Sequence, residues 1–350
     1  MLRRLLIAGG TIAVILVTLL VGASWWLNGY LKAPLAIPDG GYHLEVPPGT
    51  TWGAVVRQLH ADGIVSAVPV LTTYGKWTGQ AGRIQAGEYQ LAPGLTPLSL
   101  LQELVAGRVL LHKWTLVEGW TVRDVLRALR ADDAILNTLT TVDAIVPSLE
   151  QAHALARELK LPWASAEGAF LPETYRFPRG TTDRDLLLRA HAALLEQLDR
   201  AWAGRRPDLP LAKPYDLVIL ASIIERETGL PRERPIIAGV FIRRLEKGML
   251  LQTDPTVIYG LGERFDGNLT RRDLQTDAAW NTYTRPGLPP TPIAAPGVEA
   301  LMAAAHPADG TALFFVATGA GDGSHRFSTT LREHQAAVRD YLATLDRRRD

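Results

Sequence analysis

The chain has 350 residues, of which 47% are hydrophobic and 21% charged, a balance close to that of ordinary globular proteins and incompatible with wholesale disorder. Lys plus Arg number 37 against 36 Asp plus Glu, a net charge of +1, without the basic excess of a dedicated nucleic-acid-binding domain. Cysteine is absent, so disulfide staples, Cys-ligated zinc, iron–sulfur clusters and thiol nucleophiles are impossible.

The strongest physical feature comes first along the chain. No charged residue occurs from Leu5 to Leu31, and a helix of that length covers ~40 Å, more than the ~30 Å hydrocarbon core of a bilayer. Arg3 and Arg4 precede the run, and Trp25, Trp26 and Tyr30 close it, where amphipathic rings prefer the membrane interface. The expectation is an uncleaved single-pass anchor in the inner (cytoplasmic) membrane, with a cytoplasmic N-terminus and everything after Lys32 extracytoplasmic. A cleaved signal peptide is the alternative; the apolar run is long for one, and Trp25-Trp26-Leu27 is a poor small-residue cleavage site.

A linker with two Pro and two Gly follows over residues 33–41. Then a pattern recurs. Tyr42–Val46 alternates like a strand, Pro47-Pro48-Gly49 turns, and Thr50/Thr51 opens a helix through Val55, Val56 and Leu59. It returns as Gly87–Leu91 followed by Thr96-Pro97 and Leu100, Leu101 and Leu104, and again as Trp114–Val117 followed by Thr121 and Val125, Leu126 and Leu129. Each Thr is a helix cap, and Pro97 sits at the favoured first helical position. Unequal spacing argues for small α+β modules and against a solenoid. Residues 132–160 read as helical, 167–180 as a loop or edge strands, and 183–202 as an amphipathic helix. Leu313–Ala317 and His325–Ser328 read as a hairpin joined by a Gly-rich turn, with a polar helix from Leu331.

The densest chemistry lies around Leu217–Ile224, where only Ser222 is polar. A helix apolar on nearly every side is buried, and Gly229 and Pro231 stop it. Glu225 falls beside Val218, Ala221 and Ser222. Burial and the negative end of the helix dipole both disfavour its anion, the condition of a general acid. The competing reading is a structural ion pair of Glu225 with Arg226 or Arg232, and Glu227 is a rival acid on the same turn. A second dense stretch, Leu251–Gly260 with Asn281–Ile293, combines Pro and Gly with Asn, Thr, Gln and Tyr, which suits either a groove for a hydroxyl-rich ligand or ordinary surface loops. The eight His show no HExxH spacing, and neither a GxSxG elbow nor a Walker loop is present.

Six stretches occur in order: Leu220–Thr228, Phe241–Leu245, Leu251–Gly260, Asn281–Tyr283 with Gly287–Pro290 and Pro292-Ile293, Ala304–Pro307, and His325–Phe327 with His334. Together they resemble the endolytic murein transglycosylase family, also called YceG-like, over nearly the whole chain. The resemblance implies an α+β protein: anchor (1–31), linker (32–41), LysM-like and related strand–turn–helix modules (42–130), and a larger mixed α/β catalytic domain (131–350). It implies lytic cleavage of MurNAc–GlcNAc bonds within peptidoglycan glycan strands, leaving 1,6-anhydro-MurNAc ends, with Glu225 matching the catalytic acid and no cofactor or metal. Gln252, Asp254, Asn281, Tyr283, Glu167 and Glu173 are the candidates for holding sugar. A two-carboxylate hydrolase and a non-catalytic glycan-binding scaffold remain the alternatives. The short tether implies action on newly made strands beside peptidoglycan synthases, and nucleic acid is not an expected partner.

Overall fold

The structure, a computed structural model, describes residues 2–143 and 148–349. It divides into two compact units, Met1–His112 with Phe177–Gly180 and Lys113–Arg176 with Thr181–Asp350. Both mix helix and sheet.

The first unit opens with α1 (Leu2–Lys32), continues through β1 (Tyr42–Val46), α2 (Trp52–Ala61), α3 (Val68–Trp77) and β2 (Gly87–Leu91), and ends with α4 (Pro97–Ala106). β1 and β2 pair antiparallel with Tyr42 opposite Leu91 and Val46 opposite Gly87, which makes a strand–helix–helix–strand module. The Thr caps form as the sequence pattern requires: Thr51 accepts from the Ala54 N–H, and Thr96 and Ser99 make a reciprocal capping box. Leu44, Val55, Val56, Leu59, Leu71, Tyr89 and Leu91 are all buried in one core with Trp52. Gly75 on α3 is required there, because a Cβ would lie 2.3 Å from the Trp52 indole nitrogen. Helix α3 was not anticipated; its Val68, Val70, Thr72 and Thr73 are β-branched and poor helix formers, yet Leu71 and Gly75 pack it onto Trp52. Residues expected as a free linker are packed as well: Leu35 and Ile37 are buried, and the Leu35 N–H donates to Leu95 O at 2.7 Å.

Apart from Leu111 and His112 of β3 and Phe177 and Pro178 of β5, which count with the first unit, the second unit contains β3 (Leu111–Thr115), α5 (Val122–Arg130), β4 (Ile135–Leu136), α6 (Ser148–Leu159), β5 (Thr174–Pro178), β6 (Thr181–Thr182), α7 (Asp183–Ala203), α8 (Pro214–Glu227), α9 (Arg234–Glu246), α10 (Asp254–Leu261), α11 (Arg271–Gln275), α12 (Val298–Ala305), β7 (Phe314–Ala317), β8 (His325–Ser328) and α13 (Leu331–Arg349). The strands form small pairs, β3 with β5, β4 with β6 and β7 with β8. The order is dictated by α8: every residue from Leu217 to Ile224 is buried, so helices must cover all its sides. α7, α9, α10 and α12 do so. The Ala-rich sequence of α12 lets it approach α8 closely, and Ala300, Leu301, Ala303 and Ala304 share the core with it.

The helical reading of residues 132–160 holds only for α6; residues 144–147 lie outside those described. Upstream, the chain turns through β4 and a 3-10 segment. Two carboxylates impose this. Buried Asp183 accepts from the Thr138 and Leu139 N–H groups at 3.0 and 3.1 Å, and Glu158 from those of Thr140 and Thr141 at 2.8 and 3.0 Å. Amides tied up this way are not available to a helix.

Candidate active site

α8 begins with Pro214 in its first turn and Asp216 accepting from the Lys213 N–H at 3.2 Å. It ends where Thr228 turns extended, at φ −147°. Glu225 and Glu227 both lie in the last turn. At 100° per residue they point about 200° apart, so the two carboxyls meet different surroundings.

Glu227 faces a cavity of about 460 Å³, which it lines together with Arg244 of α9, Gln252 and Asp254 at the start of α10, Tyr283, and His325 of β8. Its carboxyl accepts a short hydrogen bond from the Thr253 hydroxyl. Burial pushes Glu227 up to about 7; Asp254 adds to this, while the Thr253 bond and the His325 and Arg244 charges oppose it.

Two loops are zipped together to make this wall. The Gln252 N–H donates to Thr282 O and the Thr253 N–H to Thr282 Oγ1, both at 3.1 Å. The Thr256 and Thr282 hydroxyls bond each other at 2.9 Å. Gln252 holds φ +50°, a left-handed conformation uncommon outside glycine and frequent at ligand sites. The Tyr283 hydroxyl donates to Asp254 Oδ1 at 2.5 Å.

Two further polar groups support residues of the cavity lining. Arg244 is buried, donates to the Leu251 and Leu313 carbonyls at 2.7 Å each, and lies over the Phe314 ring. Buried Glu233 accepts from the His325 backbone N–H at 3.0 Å and from its Nδ1 at 2.7 Å. That leaves the other ring nitrogen of a cavity-lining histidine for a ligand.

Glu225 sits in a different cluster. Its Oε1 is 3.1 Å from Arg234 Nη2 and its Oε2 accepts the Gly297 N–H at 2.9 Å. Arg234, itself buried, also pairs with Glu299 and lies 3.5 Å from Glu118. Burial raises the Glu225 pKa, Gly297 and Arg234 pull it down, and Glu118 pushes it up. Neither arginine weighed from the sequence holds this carboxylate; Arg226 donates to Gly119 O at 3.2 Å instead. Glu225 does not line the Glu227 cavity.

The other candidates divide. Gln252, Asp254 and Tyr283 come together at Glu227. Asn281 does not present its amide to a ligand: Nδ2 donates to the carbonyls of Asp273, Leu274 and Thr276, and Oδ1 accepts the Tyr283 N–H at 2.9 Å. It shapes the loop that carries Tyr283. Glu167 is 2% exposed. Its oxygens take the Val122 N–H and the Tyr259 hydroxyl at 3.1 Å each, so both are engaged within the fold. Glu173 is exposed and borders a separate depression with Arg176 and Arg189. Neither glutamate lines the Glu227 cavity. Thr253, Arg244 and the Glu233–His325 pair were not singled out from the sequence for any role; only the 200° separation of Glu225 from Glu227 was there to be read. Among the described residues, no group of three or more His, Asp or Glu side chains is placed to hold a metal ion.

Residues 44–340 match the model of the YceG-like family. The chain belongs to the YceG-like family. An endolytic murein transglycosylase of Bacillus subtilis is 29% identical to it over 317 residues, 86% of this chain and 85% of the relative. One from Streptococcus pneumoniae serotype 2 is 23% identical over 341 residues, 90% of this chain but only 59% of that longer relative. The crystal structure of a YceG-like protein from Listeria monocytogenes superposes with a TM-score of 0.51 at 25% identity, covering 85% of this chain and 99% of the other. The YceG-like match takes in both units, the Glu227 cavity and the Arg234 cluster.

Proposed function

We propose that this YceG-like protein is an endolytic peptidoglycan lytic transglycosylase whose general acid is Glu227. The observation that carries this reading is a carboxyl lining a cavity walled by Gln252, Asp254, Tyr283 and His325, where burial pushes its pKa up to about 7. The relatives' names point to murein as the substrate.

The chemistry needs one acid that becomes a base. Glu227 gives its proton to the glycosidic oxygen as the MurNAc C1–O bond breaks, and the GlcNAc fragment leaves with a free hydroxyl. The MurNAc C6 hydroxyl closes onto C1, and its proton passes to the Glu227 carboxylate. No water is consumed and the carboxyl ends as it began. The intramolecular attack replaces the second carboxylate of ordinary glycosidases. The Thr253 hydroxyl and the nearby Arg244 and His325 favour the anion half of this cycle, and burial favours the acid half. Together they hold the group near neutrality, where a single carboxyl serves both steps.

The remaining parts of the reading follow the same assignment. Gly10–Lys32, with a mean hydropathy of 2.0, anchors the protein in the cytoplasmic membrane as a single pass, with the rest outside and nascent strands and their synthases as partners. The β1–α2–α3–β2 order, with antiparallel strands, supports a LysM-like module that holds glycan, and the Glu227 cavity belongs to the catalytic domain that follows it.

The test is the product. Purified protein is incubated with uncrosslinked glycan strands and the fragments are weighed by mass spectrometry. Anhydro-MurNAc ends are expected. Reducing MurNAc ends, heavier by one water, would assign hydrolysis, and intact strands would leave a glycan-binding scaffold.

A further inference from the structure

We propose that the first unit rests directly on the bilayer, with the Thr73–Trp77 face of α3 in the headgroup layer and lipid filling the wedge between α3 and α1; this rests on α1 being the membrane anchor.

Three observations carry it. The anchor is not a loose tether. Leu31, at the end of α1, and Leu35 just beyond it are buried in the core of the unit, and the Tyr30 hydroxyl accepts the N–H of Ala67, the residue before α3, at 3.4 Å. Orienting α1 in a membrane therefore orients α3.

The second observation is the surface that faces outward. Trp26 and Leu27 of α1 and Val70, Thr73 and Trp77 of α3 line an open, almost wholly apolar wedge of about 470 Å³. Trp77 is 81% exposed and Trp25 79%. In a protein surrounded by water, an exposed indole beside an empty apolar wedge is an unfavourable arrangement.

The third is depth. The 23 residues of Gly10–Lys32 rise ~34 Å as a helix, slightly more than the ~30 Å hydrocarbon thickness. Counted instead from Arg4, the last charged residue before the apolar run, 20 residues of helix rise ~30 Å and end at Ser24, which sets Trp25 and Trp26 at the outer interface. Trp77 borders the same wedge as Trp26, which places it in the same interfacial region. Lys76 beside it, exposed like Lys32 at the end of α1, supplies a cation for lipid phosphate, the usual company of interfacial tryptophan. Continuity with the membrane-spanning run favours lipid over a second copy of the chain as the occupant.

The cysteine-free sequence makes the test clean. Single variants Thr73→Cys, Trp77→Cys, Leu19→Cys within the span and Lys247→Cys on an exposed turn are spin-labelled. The full chain is placed in vesicles of phosphatidylethanolamine and phosphatidylglycerol. Electron paramagnetic resonance then compares collisions with oxygen, which partitions into lipid, and with a nickel chelate, which stays in water. Labels at 73 and 77 are expected to give an oxygen-to-nickel ratio between the lipid value at 19 and the water value at 247. If 73 and 77 match 247 while 19 favours oxygen, the anchor stands and the surface contact falls. Labels at 73 and 77 shielded from both reagents would mean a protein covers the wedge and would overturn lipid as its occupant. A label at 19 matching 247 would remove the anchor reading itself.

Discussion

The Thr253→Val variant probes how Glu227 is tuned. The Thr253 hydroxyl donates to Glu227 Oε1 and makes no helix-capping bond at the start of α10, so valine keeps the shape and removes only the donor. A hydrogen bond to a charged group is worth about 1.5–3 kcal/mol, and about 1.4 kcal/mol corresponds to one pH unit in a titration. Losing a bond that favours the anion raises the pKa of Glu227 by about 1 to 2. Cleavage starts from the protonated acid, so activity falls as pH rises through the pKa of Glu227, about 7 in the wild type. In the variant this alkaline limb moves up by the same 1 to 2 in pH. Initial rates of glycan cleavage between pH 5 and 10 read it directly. An alkaline limb that stays in place or moves to lower pH would refute the argument that this carboxyl is the acid under Thr253 control.

Two further outcomes concern stability. Arg234→Met removes the only cation within bonding distance of buried Glu225 among the described residues while Glu118 remains close; a loss of about 3–5 kcal/mol in urea denaturation is expected, with part of it recovered when Glu225→Gln is added, and full additivity would deny the coupling. Burial pushes the Glu167 carboxyl from its ordinary 4.5 up to about 8 in the fold. The folded state thus holds an extra proton between these values, and stability falls as pH rises from about 4.5 to about 8. Glu167→Gln should flatten that slope by on the order of a few kcal/mol, measured as melting temperature at pH 5 and pH 8.5; an unchanged slope would mean Glu167 is ionised in the fold.

Much of the architecture follows from local pattern. The Thr caps of α2, α4 and α5 and the all-apolar Leu217–Ile224 are visible in the sequence, because a cap needs one hydroxyl and a buried helix needs no polar face. The wall of the cavity was legible in part, since Gln252, Asp254 and Tyr283 sit in stretches dense with polar and turn residues. What composition alone does not show is which polar side chains are already consumed by the fold. Asn281 satisfies three carbonyls, Glu167 bridges α5 and Tyr259, and Asp183 and Glu158 straighten a stretch that reads as helix. Those partners lie up to 92 residues away, beyond the reach of periodicity. The choice between Glu225 and Glu227 is of this kind. Both share one helical turn, and only the positions of Arg234 and Thr253 separate an ion-paired carboxylate from one that opens onto a cavity.

That choice is tested most directly by comparing Glu227→Gln with Glu225→Gln on uncrosslinked glycan strands, counting anhydro-MurNAc ends by mass spectrometry. The geometry predicts that Glu227→Gln abolishes these ends, while Glu225→Gln, once shown to be folded, still makes them. Anhydro ends persisting in Glu227→Gln and vanishing in folded Glu225→Gln would contradict it and return the acid to the Arg234 cluster.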